Sequence, residues 1–210
     1  MDLKTAKLMG GIGAILTLFI VIPVIGWLLG IAGLVLILIS VKTISDLTKE
    51  HNIFTNYLVA AILSFVGSLA LLFGGAALIF TVFGDGTRNF AMGPGMMAHK
   101  LFDEGIMGSG IWKGWQPGGA IIGIIILILA VLTILIIGSY FTKSSFDKIS
   151  EKTGEKNFKT SGLLIFLGSI LLVLFGVGAI IFFVGAIFEV IAFFSLPDTL
   201  MKPEEPQTTT

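Results

Sequence analysis

Polar and apolar positions along this chain do not alternate; they separate into long blocks. Uncharged, strongly apolar runs lie within Leu8–Val41, Tyr57–Gly84, Gly118–Thr142 and Ser161–Phe188, the last continuing past Glu189 to Leu196. Runs of about 18 or more apolar residues predict membrane-spanning helices. A membrane β-barrel would instead show segments of roughly ten residues with alternating polarity, and the chain has none. The pattern predicts an all-α, polytopic membrane protein. It has about four transmembrane helices plus a broken or re-entrant N-terminal helix, built from two tandem helical hairpins.

The first run poses a problem of length. Its 34 residues would make a helix about 50 Å long, against a hydrocarbon core about 30 Å thick. Within it, PVIGWLLG carries Pro23, which lacks a backbone donor and disfavours helix at Ile22. Gly26 and Gly30 add backbone freedom. Three arrangements fit: one long tilted and kinked helix, a turn-back, or a surface helix followed by a span from about Val24. The expected break lies between Ile22 and Trp27. Its freed carbonyls must find donors inside the protein, because lipid offers none, and Ser64 and Thr133 are candidates.

The runs and the segments between them divide the chain into four parts. Residues 1–84 form a first helical repeat with its broken N-terminal helix. Residues 85–117 form an extramembrane segment rich in Gly, Met and Trp, in which Trp112 and Trp115 suit the headgroup level. Residues 118–196 form a second repeat, and residues 197–210 a polar tail read as disordered. The repeat rests on Leu63–Phe80 and Leu164–Phe182, which share Leu-x-Phe-x-Gly-Ser and a later Phe-Gly. Gly67 pairs with Gly168, and each unit reads as helix, charged loop, helix. Both units then enter the membrane in the same sense, as a parallel repeat.

Composition sharpens the class. Of 210 residues 55% are hydrophobic and 12% charged, where soluble domains carry about 25% charged residues. Mean hydropathy is +1.03. Net charge is zero and no basic field suits nucleic acid. Cysteine is absent, which removes disulfides and thiolate chemistry. The stretch Leu8–Ile22 has no convincing cleavage site after it and is read as retained. Loops 42–56 and 143–160 carry seven lysines. The central segment and tail carry Arg88, Lys100, Lys113 and Lys202. The short loops are therefore expected to be cytoplasmic, with 85–117 and the C-terminus external. Lys4 and Lys7 join the richer side only if the first run turns back, and the bias favours that arrangement.

Three pieces carry a family resemblance: Gly10-Gly11-x-Gly13, Ile22-Pro23-x-x-Gly26-Trp27 and Ile53-Phe54-x-Asn56-Tyr57-Leu58. They resemble an archaeal family of integral membrane proteins known only as domain of unknown function nine-ninety-six. The resemblance is good over roughly the first 85 residues and rests on hydropathy beyond. It implies an archaeal membrane protein and brings no activity, cofactor or site residue.

Candidate chemistry is sparse. Glu189 is the one ionisable residue inside an apolar run, and an intramembrane carboxylate is a possible ion or proton site. A span starting at Ser161 would end near Gly185. That leaves Glu189 at the outer interface, where Arg88 or Lys113 could pair with it. His51 and His99 fall on opposite sides and cannot share a metal. No catalytic or phosphate-binding motif is present, so no enzyme activity and no cofactor is expected. Small residues at Gly26, Gly30, Ser64, Ser68, Gly168 and Gly176 suit close helix packing. Two readings follow: a non-enzymatic scaffold or partner-binding protein, and a small-solute or ion conduit. Expected partners are membrane lipid and either a second copy or another protein, the latter held through 85–117.

Overall fold

The computed structural model describes residues 2–19, 22, 25–83, 117–172 and 177–199. Among them are six helices: α1 (Leu3–Leu18), α2 (Ile25–Thr48), α3 (His51–Phe83), α4 (Pro117–Thr153), α5 (Lys156–Leu171) and α6 (Val177–Phe194). The described residues contain no strand. Four helices hold stretches long and apolar enough to cross a membrane: Ile25–Thr48, His51–Ala76, Ile125–Thr153 and Val177–Phe194. The fold class is the helical polytopic membrane protein expected from the sequence.

The first run is broken. Helix α1 ends at Leu18 and α2 begins at Ile25, so the interruption starts upstream of the expected window; Pro23 itself lies outside the described residues. Backbone bonds from Ile22 N to Phe19 O and from Gly26 N to Ile22 O, both 2.9 Å, flank it. The two helices then run antiparallel. A Cβ on Gly13 would stand 2.7 Å from Gly33 O, and one on Gly33 would stand 2.6 Å from Gly13 O. Further along, Ser40 Oγ donates to Ala6 O at 2.6 Å. The turn-back is therefore the arrangement adopted. At 16 residues, α1 is about 24 Å long, shorter than the hydrocarbon core.

The last run departs from expectation. It is not one span: α5 stops at Leu171 and α6 starts at Val177. These helices also pack antiparallel, with Ser161 Oγ donating to Gly185 O at 2.9 Å. A Cβ on Gly168 would meet Phe182 N at 2.6 Å, and one on Gly185 would meet Ile165 N at 2.9 Å. Folding back carries the end of α6 to the start of α1, where Lys7 Nζ donates to Leu196 O at 2.9 Å and lies 3.5 Å from Asp198. The chain beyond α6 thus begins beside Lys7, at the end of the helices that bears the short charged loops. The expectation that it leaves from the opposite end is corrected.

The same division bears on the tandem repeat. Helix α3 runs unbroken from His51 to Phe83 through the stretch Leu63–Phe80. The matching stretch Leu164–Phe182 is divided between two antiparallel helices. Gly67 thus lies within one continuous helix and Gly168 in the first of two, and the tandem repeat is not shown.

The chain divides into two compact units, residues 1–64 with 134–210 and residues 65–133, which cut across the four sequence segments. In the first, the core is Phe146, Phe158 and Phe193, all fully buried, with Ile37, Val41, Ile44, Ile53 and Ile149. The three rings come from α4, α5 and α6, with centroids 5.4, 6.5 and 5.0 Å apart in edge contacts of the kind aromatic quadrupoles favour. In the second, Gly74 of α3 faces Leu127 of α4. The turns are specified locally. Asp2 caps α1 by accepting from Thr5 N at 3.0 Å, and Glu155 caps α5 by accepting from Asn157 N at 3.0 Å. Gly154 closes α4 at φ 79°, a left-handed conformation that glycine adopts freely.

The Gly13–Gly33 crossing gives the first prediction. Gly13→Ala would push a methyl onto backbone that cannot rotate away, and should destabilise by on the order of 1–3 kcal/mol. Gly75→Ala, where nothing lies within 4 Å, should be neutral or gain about 0.5–1 kcal/mol from helix propensity. Thermal unfolding of the purified protein in one detergent would compare them.

Candidate functional site

Glu189 lies in α6, five residues before its last residue, Phe194, about 7.5 Å along the axis. That end carries Leu196 and faces Lys7, so Glu189 is not at the outer interface where a single span would have put it. It is 8% exposed. Tyr57, from the second turn of α3, faces its carboxyl group. One carboxyl oxygen, Oε1, is buried and has no hydrogen-bond partner. Tyr57 is itself 7% exposed and is held by stacking on Phe146 at 5.8 Å. Phe146 in turn meets Phe193, one turn beyond Glu189 on α6. The aromatic core therefore positions the tyrosine beside the carboxyl group. Arg88 and Lys113, the partners expected from sequence, lie outside the described residues.

Next to this core sits a polar girdle between α3, α4 and the α2–α3 turn. Asn56 Nδ2 donates to Ser144 Oγ at 2.9 Å, and Ser145 Oγ donates to Ile53 O at 2.7 Å. Glu50, in the turn, lies 3.4 Å from Lys148 and 3.9 Å from Lys152. Lys143 bridges to Asp147 at 2.6 Å, one turn apart on α4. Along this face of α4 runs a cleft of about 220 Å³ lined by Tyr140, Lys143, Ser144, Asp147, Lys148 and Glu151. Asp147 Oδ1 is buried without a partner, although the residue as a whole is only part-buried. Among the described residues no group of three His, Cys, Asp or Glu side chains could hold a metal ion. His51 is exposed at the start of α3; His99 lies outside the described residues.

The small residues chosen from sequence fare unevenly. Gly26 and Gly30 are buried in α2, and Gly168 meets the backbone of α6. Ser64 is exposed, yet its hydroxyl is 3.7 Å from where a Cβ on Gly138 would stand. Ser68 is exposed and bonds within its own helix, to Phe65 O at 2.8 Å. Gly176 lies outside the described residues. Thr133 also bonds within its helix, to Leu129 O, so it does not serve the N-terminal break.

Sequence reasoning missed the residues that join the helices. Ser40, Ser145 and Ser161 each donate to a carbonyl of another helix, and Ser139 bonds Ser169 at 2.6 Å. Gly10 receives the Phe193 ring and Gly11 the Phe194 ring, at 2.6 Å from a Cβ placed there. Tyr57 was also missed, although a signal existed. A lone carboxylate in an apolar run requires a donor, and the chain has two tyrosines.

Fold and site together define an all-helical polytopic membrane protein with one buried acidic residue among those described. The chain belongs to the family described as protein of unknown function (DUF996), which matches residues 29–187. That match begins inside α2 and stops two residues short of Glu189. The chain is also 35% identical over 201 residues to the uncharacterised protein MJ1644 of the archaeon Methanocaldococcus jannaschii, covering 95% of this chain and 96% of that one. No solved structure matches.

The girdle yields a pH prediction. The Asn52 amide, and then Lys148 and Lys152, hold the Glu50 carboxyl below its usual value of 4.5. A depressed folded-state value favours the native carboxylate, so its contribution is present above the ordinary range and lost as pH falls through the folded value. Glu50→Gln should lower the melting temperature at pH 7, and the gap to wild type should close as pH drops below 4. A gap independent of pH would show that the charge of Glu50 is not what matters.

Proposed function

We propose that this protein is a non-enzymatic membrane scaffold that binds a partner protein. The observation that carries this reading is the use of interior polar groups. The hydroxyls of Ser40, Ser139, Ser145, Ser161 and Ser169 bond helix to helix, and glycines bring backbones into contact. Such an interior supports holding a shape more than passing a solute. In this reading the segment 85–117, with its tryptophans and methionines, offers the partner surface.

The same reading sets the orientation. Lys4 and Lys7 of α1 share an end with Lys42, Lys49, Lys143, Lys148, Lys152, Lys156 and Lys159, whereas the segment between α3 and α4 carries Arg88, Lys100 and Lys113. The positive-inside rule then assigns the lysine-rich end, with the start of the tail, to the cytoplasm. Single cysteines at Lys4, Lys152 and Asp198 should be labelled by an impermeant maleimide from the cytoplasmic side, and one at Lys100 from outside. Lys4 and Lys152 labelled from opposite sides would refute the arrangement.

A conduit is the second reading, and the free Oε1 of Glu189 favours it. Reconstituted vesicles separate the two. The scaffold reading expects proton and monovalent-cation flux no faster than in protein-free vesicles. It also expects cross-linking in native membranes to trap a stoichiometric partner through residues 85–117. Flux that Glu189→Gln abolishes would replace the scaffold reading with the conduit.

A further inference from the structure

Glu189 sets a problem that helix packing does not solve. An ionised carboxylate at 8% exposure, with one orphaned oxygen, would be an uncompensated charge in an aromatic core. Removing such a charge from water costs several kcal/mol unless it is paired and fully hydrogen-bonded. Among the described residues, the elements around α6 supply no cation to it. On α1, Lys7 is engaged with Leu196 O and Asp198 and Lys4 is exposed. On α5, Lys156 and Lys159 are exposed. On α4, Lys143 pairs with Asp147, Lys148 and Lys152 pair with Glu50, and Glu151 is exposed. On α3, Tyr57 is the titratable group that meets Glu189, and His51 is exposed.

We propose that Glu189 and Tyr57 form a proton-binding site at the contact of α6 with α3. Uptake forms one O–H bond on a Glu189 oxygen and removes the uncompensated charge; Tyr57 keeps its own proton and holds the carboxyl group in place. Nothing is oxidised or reduced. The proton comes from water at the lysine-rich end, about 7.5 Å along α6 from the carboxyl-bearing residue. The inference stands apart from the scaffold reading, since a proton can bind here whether or not the protein conducts.

Infrared spectroscopy of the full-length protein in lipid tests it, with ¹³C-labelled glutamate to separate Glu189 from aspartates such as Asp147. At pH 7 the spectrum should contain the deuterium-sensitive carbonyl band of a buried carboxylic acid. Glu189→Gln should remove it. Tyr57→Phe should move it to higher frequency, because the carbonyl loses a donor. Alkaline pH should abolish it reversibly while the helical amide signal persists. The labelled wild type and Tyr57→Phe suffice should Glu189→Gln fail to accumulate. Absence of the acid band at pH 7 would overturn the proposal, since Glu189 would then be ionised. A band that persists unchanged until the protein unfolds would also overturn it, since the proton would be a fixed part of the structure.

Discussion

Everything in the larger unit depends on helices approaching until backbone touches backbone. In lipid there is no hydrophobic gain from pressing two apolar helices together, so contact energy comes from close packing and from hydrogen bonds between helices. This chain supplies both in one device. Gly13 and Gly33 let α1 and α2 meet with no side chain between them, and Ser40 then reaches the Ala6 carbonyl. The same pairing recurs between α5 and α6, with Gly168 and Gly185 at the crossing and Ser161 as the donor. Each acceptor is a helical carbonyl with a second lone pair to offer. The serine therefore binds the neighbouring helix without breaking its ladder.

That geometry creates the site. Because α6 folds back along α5, its last turns reach α1 and the aromatic core instead of continuing outward. Glu189 is buried by this reversal. A single span would have left it at an interface where ionisation costs little. Tyr57 reaches it because α3 packs on α4 through Ser145 and Ile53, which aligns the tyrosine with Phe146.

The helical membrane class was legible from block hydropathy alone. So was the N-terminal reversal, because Pro23 and the excess length left a mark and the charge count with Lys4 and Lys7 favoured it. The C-terminal reversal left none. The stretch from Leu171 to Gly178 is apolar throughout and contains no proline, and hydropathy assigns a turn in apolar sequence the same value as a continuous helix. The error then spread. A continuous last helix implied an outer position for Glu189 and a tail on the far side. The cross-helix serines were illegible for another reason. Ser40, Ser68 and Thr133 look alike in sequence, and only the position of the neighbouring helix decides which one finds a carbonyl outside its own.

The two reversals bear on how the chain enters the bilayer during synthesis. The sequence between α1 and α2 and that between α5 and α6 is itself apolar, Phe19–Val24 and Leu172–Gly176. Inserting either pair as a hairpin would carry no hydrophilic sequence through the hydrocarbon, where unsatisfied backbone is costly. In the orientation proposed above, the charged connections at the other end of these helices would stay in the compartment in which they are made. In the proposed orientation the polar sequence to be moved across is the stretch linking α3 to α4, and the demand on the translocation machinery would be concentrated in that passage.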